Sequence, residues 1–117
     1  MPLTAGEETA AGLVYYHKSD GKMWQADRDA LATTEGFLGL AMSVIAADAT
    51  GNFLLLGTAR LDSWDWTVGG IIYVGDNGAL LQTPTVAADD VVRKIGHCII
   101  NADTIFFRGS IFEYPEF

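Results

Sequence analysis

His97 and Cys98 are the side chains in this sequence best suited to nucleophilic chemistry, and they are adjacent. A Cys–His dyad needs the imidazole within hydrogen-bond reach of the thiol. These two lie in an apolar run, 91–100, that has the composition of a strand, where neighbouring side chains leave opposite faces. The expectation is therefore a buried thiol beside a partly exposed imidazole. Paired carboxylates are the next candidates, because two acids on either side of a bond can hydrolyse it. Asp27/Asp29, Asp62/Asp65 and Asp89/Asp90 all fall in turn-rich stretches, where acids are ordinarily solvated. Asp48-Ala49-Thr50-Gly51-Asn52 offers oxygen ligands but lacks the remaining ligands and closing bidentate acid of a calcium loop. No GxGxxG, GxxxxGK[ST], GxSxG, HExxH or CxxC occurs. These observations assign no catalytic residue, metal ligand or cofactor, and the chain reads as a protein that is not an enzyme.

The aromatic residues point to contact instead. Trp64-Asp65-Trp66 would place both indoles on one face of an extended segment. Tryptophan anchors protein interfaces, and a sugar-stacking platform is a lesser alternative. The competing structural role is a lid over the end of the core. From Ile105 to Tyr114 the chain does not alternate cleanly, and Phe106-Phe107 makes both faces apolar, as in a strand covered on two sides. Trp64, Trp66, Phe106, Phe107, Phe112 and Tyr114 are thus the candidate interface residues. Leu56 and Phe106 are expected to contribute to the core.

Positioning these residues requires strands. Short apolar runs punctuated by Gly, Asn and Asp predict strands at 13–17, 22–26, 36–45, 52–61, 70–74, 79–83, 91–100 and 104–114. Ser19-Asp20-Gly21 and Asp76-Asn77-Gly78 are the clearest turns, since Gly and Asn tolerate positive φ. Between hairpins, 27–35 is Ala-rich enough for a helical turn, and Pro84 makes 84–90 a loop. Residues 1–11 are small, polar and acidic and read as an extended arm ahead of one β domain, 12–117.

The chain also resembles itself. Ala11–Tyr15 align with Gly69–Tyr73 at an offset of 58 (Tyr15 to Tyr73), and Gly21–Gln25 with Gly78–Gln82 at 57 (Gly21 to Gly78). Gly39 then meets Gly96, and Phe53–Gly57 meet Ile105–Gly109. The ordered anchors imply two four-strand repeats, 12–61 and 69–114. Such units close their edges on each other as an all-β small barrel or sandwich of about eight antiparallel strands. On this reading Gly39 and Gly96 occupy equivalent close-packed positions.

Composition narrows the partners. The 117 residues carry seven Lys/Arg against fifteen Asp/Glu, a net charge of −8, and only Arg93-Lys94 are adjacent cations. Nucleic-acid binding draws on clustered cations, so that class is disfavoured. No apolar run approaches the length of a membrane span, and the first residues lack the pattern of a secretory signal. A single cysteine excludes an internal disulfide framework. Half the chain is apolar, more than one small core requires, which anticipates contact between subunits.

The second repeat resembles a β-module of tailed-phage virion proteins. The resemblance is carried by Val68-Gly69-Gly70-Ile71-Ile72-Tyr73-Val74 and Gly78-Ala79-Leu80-Leu81-Gln82-Thr83-Pro84. It continues through Val91-Val92-Arg93-Lys94-Ile95-Gly96 and Ala102-Asp103-Thr104-Ile105-Phe106-Phe107. It covers 68–114 directly and 11–61 through the repeat. The module occurs in capsid decoration (cement) proteins and in head-fibre and tail-fibre proteins, so it implies a structural, trimer-forming virion component. With little chain ahead of the module, the expectation is a cap on an assembled shell rather than a fibre shaft. It would sit on the outer capsid surface, bound to the major capsid protein and to its own copies as a homotrimer. The arm could add a strand to a neighbour's sheet. A fibre base, or a receptor- or glycan-binding module using Trp64 and Trp66, is the alternative.

Overall fold

The computed structural model describes residues 2–27, 38–82 and 94–108. Ten strands occur among them: β1 (Pro2–Thr4), β2 (Val14–His17), β3 (Met23–Gln25), β4 (Leu38–Ala41), β5 (Thr50–Leu54), β6 (Leu56–Arg60), β7 (Ile71–Val74), β8 (Leu80–Leu81), β9 (Lys94–Cys98) and β10 (Thr104–Arg108). They form two antiparallel five-stranded sheets, ordered β1-β5-β4-β2-β3 and β6-β10-β9-β7-β8. The two orders are the same permutation. The molecule is all-β and sandwich-like, with two open sheets rather than a closed barrel.

The expected turns organise both hairpins. Gly21 and Gly78 take φ of 83° and 75°. Lys18 N–H bonds Lys22 O at 2.9 Å, as Gly75 N–H bonds Ala79 O at 2.7 Å. Ahead of each hairpin, Gly12 and Gly69 share φ of 85°. Gly12 N–H donates to Ala41 O, and Gly69 N–H to Cys98 O. Later, Asp48 and Ile100 both sit in the left-handed region, at 65° and 63°.

Register corrects one anchor of the repeat. Gly39 lies opposite Tyr15, whereas Gly96 lies opposite Ile72. The offset is therefore 57 through both hairpins (Gly39 to Gly96), and Tyr73 corresponds to Tyr16, not to Tyr15. Leu54 opposite Leu40 and Phe106 opposite His97 support the smaller offset of the last strand (Leu54 to Phe106).

Strand number also differs from expectation. The run 52–61 is interrupted at Leu55, so that β5 pairs in the first sheet and β6 crosses to the second. Residues 2–4 form β1, which pairs with β5 (Pro2↔Asn52, Thr4↔Thr50). The N-terminal segment is thus built into the fold, with Ala5 fully buried and Thr9 2% exposed. In sheet order β1 stands beside β5 as β6 stands beside β10, so each sheet contains five strands where the repeat suggests four. Leu56 is 63% exposed, outside the core. The expectations for 28–35, 84–93 and 109–114, Phe112 and Tyr114 included, lie outside the described residues.

Two clusters of buried side chains stabilise the fold, one between the sheets and one outside the first. Val14, Leu38 and Leu40 of the first sheet join Ile72, Cys98, Ile105 and Phe107 of the second in the core between them. On the far side of the first sheet, Tyr15, Met23, Ala41 and Phe53 pack with Ala5 and Ile45. Alternation along β2 accounts for this, since Val14 and Tyr15 must leave opposite faces. The first sheet is consequently covered on both sides, with residues 5–9 and 42–49 over its far face.

Candidate functional site

Strand β10 separates the two neighbouring phenylalanines. Phe107 is fully buried in the inter-sheet core, so it does not serve the interface expected of it. Phe106 points the other way and is 37% exposed. It lies opposite Thr58 on β6 and His97 on β9. Ile71 lies opposite the other side of His97. A β-bulge helps shape this face. Ile72 pairs with Gly96 and Tyr73 with Lys94, leaving Ile95 as the extra residue, whose buried side chain joins the core. The outcome is a groove of about 330 Å³ on the outer face of the second sheet, lined by Ile71, Lys94, Gly96, His97, Phe106 and Arg108. Its floor is aromatic and aliphatic, with an imidazole at the centre and two cationic side chains along it.

The tryptophan pair lies elsewhere. Trp64 and Trp66 are half-buried and packed against the inter-sheet core, their rings 6.3 Å apart and tilted by 52°. The indole N–H of Trp66 is buried and meets no acceptor among the described residues. This packing is that of a lid on the core, not of a stacking platform open to solvent.

The residues suited to chemistry remain apart. Cys98 faces the core and His97 the groove, as alternation requires. Burial raises the Cys98 thiol, the nearby Asp103 charge adds to this, and Sγ donates to Asn101 O at 3.3 Å. Such a thiol is disfavoured as a nucleophile. Asp62 and Asp103 flank Arg60, at 3.0 and 2.9 Å. The Arg60 guanidinium, with help from the Thr104 hydroxyl, holds the Asp103 carboxyl below the usual range. Asp48 accepts from Lys22 Nζ at 2.7 Å. Among the described residues no three His, Cys, Asp or Glu side chains converge as metal ligands. Asp29, Asp89 and Asp90 lie outside them.

The groove combines residues from β7, β9 and β10 that are distant in sequence. The sequence singled out Phe106 as an interface residue, His97 as half of a possible catalytic pair and Gly96 as a repeat anchor, but not their convergence, because the bulge at Ile95 and the pairing of Ile71 with His97 are properties of register. Searches of protein-family models, curated proteins and solved structures found no match to this chain.

Proposed function

We propose that the chain is a decoration (cement) protein of a tailed-phage capsid, binding the outer shell surface as an oligomer, a homotrimer, and stabilising the assembled head. The carrying observation is that the residues resembling the virion β-module build β7, β8, β9 and β10, whose outer face holds an open apolar groove. A surface of this kind suits assembly, since interfaces combine an aromatic centre with a polar rim. Mechanically, cementing requires bridging contacts between capsomers, and a few interfaces of about 1,600 Å² supply substantial cohesion. The net charge of −8 suits a location outside the shell, away from packaged DNA. Strand addition by the N-terminal segment does not enter this reading, because residues 2–4 already pair with β5. A glycan-binding fibre module loses its main support in the packing of Trp64 and Trp66.

The test is co-sedimentation of the purified chain with expanded tailed-phage heads stripped of their own outer protein. Saturable pelleting and a higher disruption temperature for the loaded heads are expected. A chain that stays in the supernatant at all ratios overturns the proposal.

A further inference from the structure

The two five-stranded units stack in the same sense. Val14, Leu40 and Leu54 pack toward the core from the first sheet. By register they correspond to Ile71, His97 and Phe106, which line the outer face of the second. Conversely, Tyr15, Ala41 and Phe53 lie on the far side of the first sheet and correspond to Ile72, Cys98 and Ile105 in the core. A two-fold relation would set equivalent faces against each other. Here the front of one unit meets the back of the next, and the front of the second unit is left unmatched. Contacts of this head-to-tail kind continue into rings or filaments when a further unit is supplied.

We propose that the outer face of the second sheet, centred on Ile71, His97 and Phe106, receives the opposite end of a second copy of this chain. The receiving face takes the layer that residues 5–9 and 42–49 lay over the first sheet. Continuity of the head-to-tail order is the first argument for that occupant, the cover standing in for Tyr15, Ala41 and Phe53 beneath it. Charge is the second: Lys94 and Arg108 border the groove, whereas the opposite layer presents exposed Glu8, with Asp48 beside it bonded to Lys22. Face-to-face pairing of two grooves would set these cations against their own copies, which disfavours a symmetric dimer. That layer also exposes Val44 at 67%, an apolar contact for Phe106. Composition is the third argument. Where the first sheet has Val14, Leu40 and Leu54, the second has Ile71, His97 and Phe106, a mixture expected of a contact between separately soluble molecules. This inference rests on the assembly reading above, which it deepens by naming the surface of self-contact.

The experiment measures molar mass by light scattering over a wide concentration range, with no capsid present. The wild type is expected at a multiple of the 12.6 kDa chain. Phe106→Glu blocks the receiving face and Val44→Lys the inserted one, and each alone should run as a monomer with unchanged circular dichroism. Because the contact is head-to-tail, an equimolar mixture of the two retains one intact interface and should reach at least twice the chain mass, since the two substituted faces carry opposite charges. If Phe106→Glu fails to fold, Arg108→Glu replaces it, with at least tenfold weaker association expected. A monomeric wild type overturns the inference and marks the polar substitutions as a terminal cap. So does a mixture that stays monomeric while the wild type assembles. A monomer that still decorates heads sinks this inference and leaves shell binding without the homotrimer; an oligomer that never binds heads sinks the capsid reading and leaves the self-contact.

Discussion

Gly39 and Gly96 occupy the same register position in their sheets, yet a methyl group would meet different surroundings at each. At Gly39 it would approach Met23 Cε and Phe53 Cβ at 3.1 Å and Leu55 Cδ2 at 3.3 Å, mostly mobile side-chain atoms. At Gly96 it would collide with the backbone carbonyl of Phe106, which cannot withdraw without opening the β9–β10 ladder. Gly96→Ala is therefore expected to cost about 3 kcal/mol or more, and Gly39→Ala about 1 kcal/mol. Urea titrations of the two variants give the order directly, and equal midpoints would refute the distinction. The pair itself was legible in the sequence, because both repeats keep glycine at the matched place. What spacing alone does not reveal is that matched positions meet different surroundings, the cover over the first sheet at Gly39 and the inter-sheet core at Gly96. For the same reason the sequence marked Phe106 and Phe107 together, and only their alternation about β10 separates groove from core.

At the scale of elements, the N-terminal segment is held by a short polar network. Thr9 Oγ1 donates to Ser43 O at 2.9 Å and accepts from Ile45 N–H at 2.7 Å. Next to it, Ala10 N–H donates to the Tyr15 hydroxyl at 3.0 Å. Together these bonds fix residues 5–9 and 42–49 as one cover over Tyr15, Met23 and Phe53. Thr9→Val keeps the shape of the side chain but orphans the Ile45 N–H and the Ser43 carbonyl. The expected loss is about 2–4 kcal/mol, with faster hydrogen exchange at the Ile45 amide. A variant with wild-type stability and exchange would mean that the cover is dispensable. Nothing in the small, polar residues of this segment shows periodicity, so its place depends on partners far along the chain. The break at Leu55 was hidden for the opposite reason. Phe53-Leu54-Leu55-Leu56 contains no breaker and has the pattern of one strand; the chain divides there because its two halves belong to different sheets. The hairpins were legible, since their turns carry their own chemistry in Asp20-Gly21 and Asn77-Gly78.

For the whole molecule, the stacking of unlike faces decides how it unfolds. The first sheet contributes Val14, Leu38 and Leu40 to a core completed by Ile72, Ile105 and Phe107 of the second. Separating the sheets would return these six side chains to water at a cost on the order of 10 kcal/mol. That is comparable to the whole stability of a domain this size, about 5–15 kcal/mol. Neither unit can then persist once the other has melted, although each has its own complete set of five strands. Unfolding should be a single transition despite the duplication. Tryptophan fluorescence can report two places: Trp24 lies on β3 of the first sheet, while Trp64 and Trp66 pack against the core between the sheets. In dilute solution, a chain with Trp64→Phe and Trp66→Phe and one with Trp24→Phe should each melt with its fluorescence and far-ultraviolet circular dichroism superimposed. If fluorescence and circular dichroism separate within either chain, so that one sheet melts while the other persists, the units are independent domains and the shared core is not what holds them together.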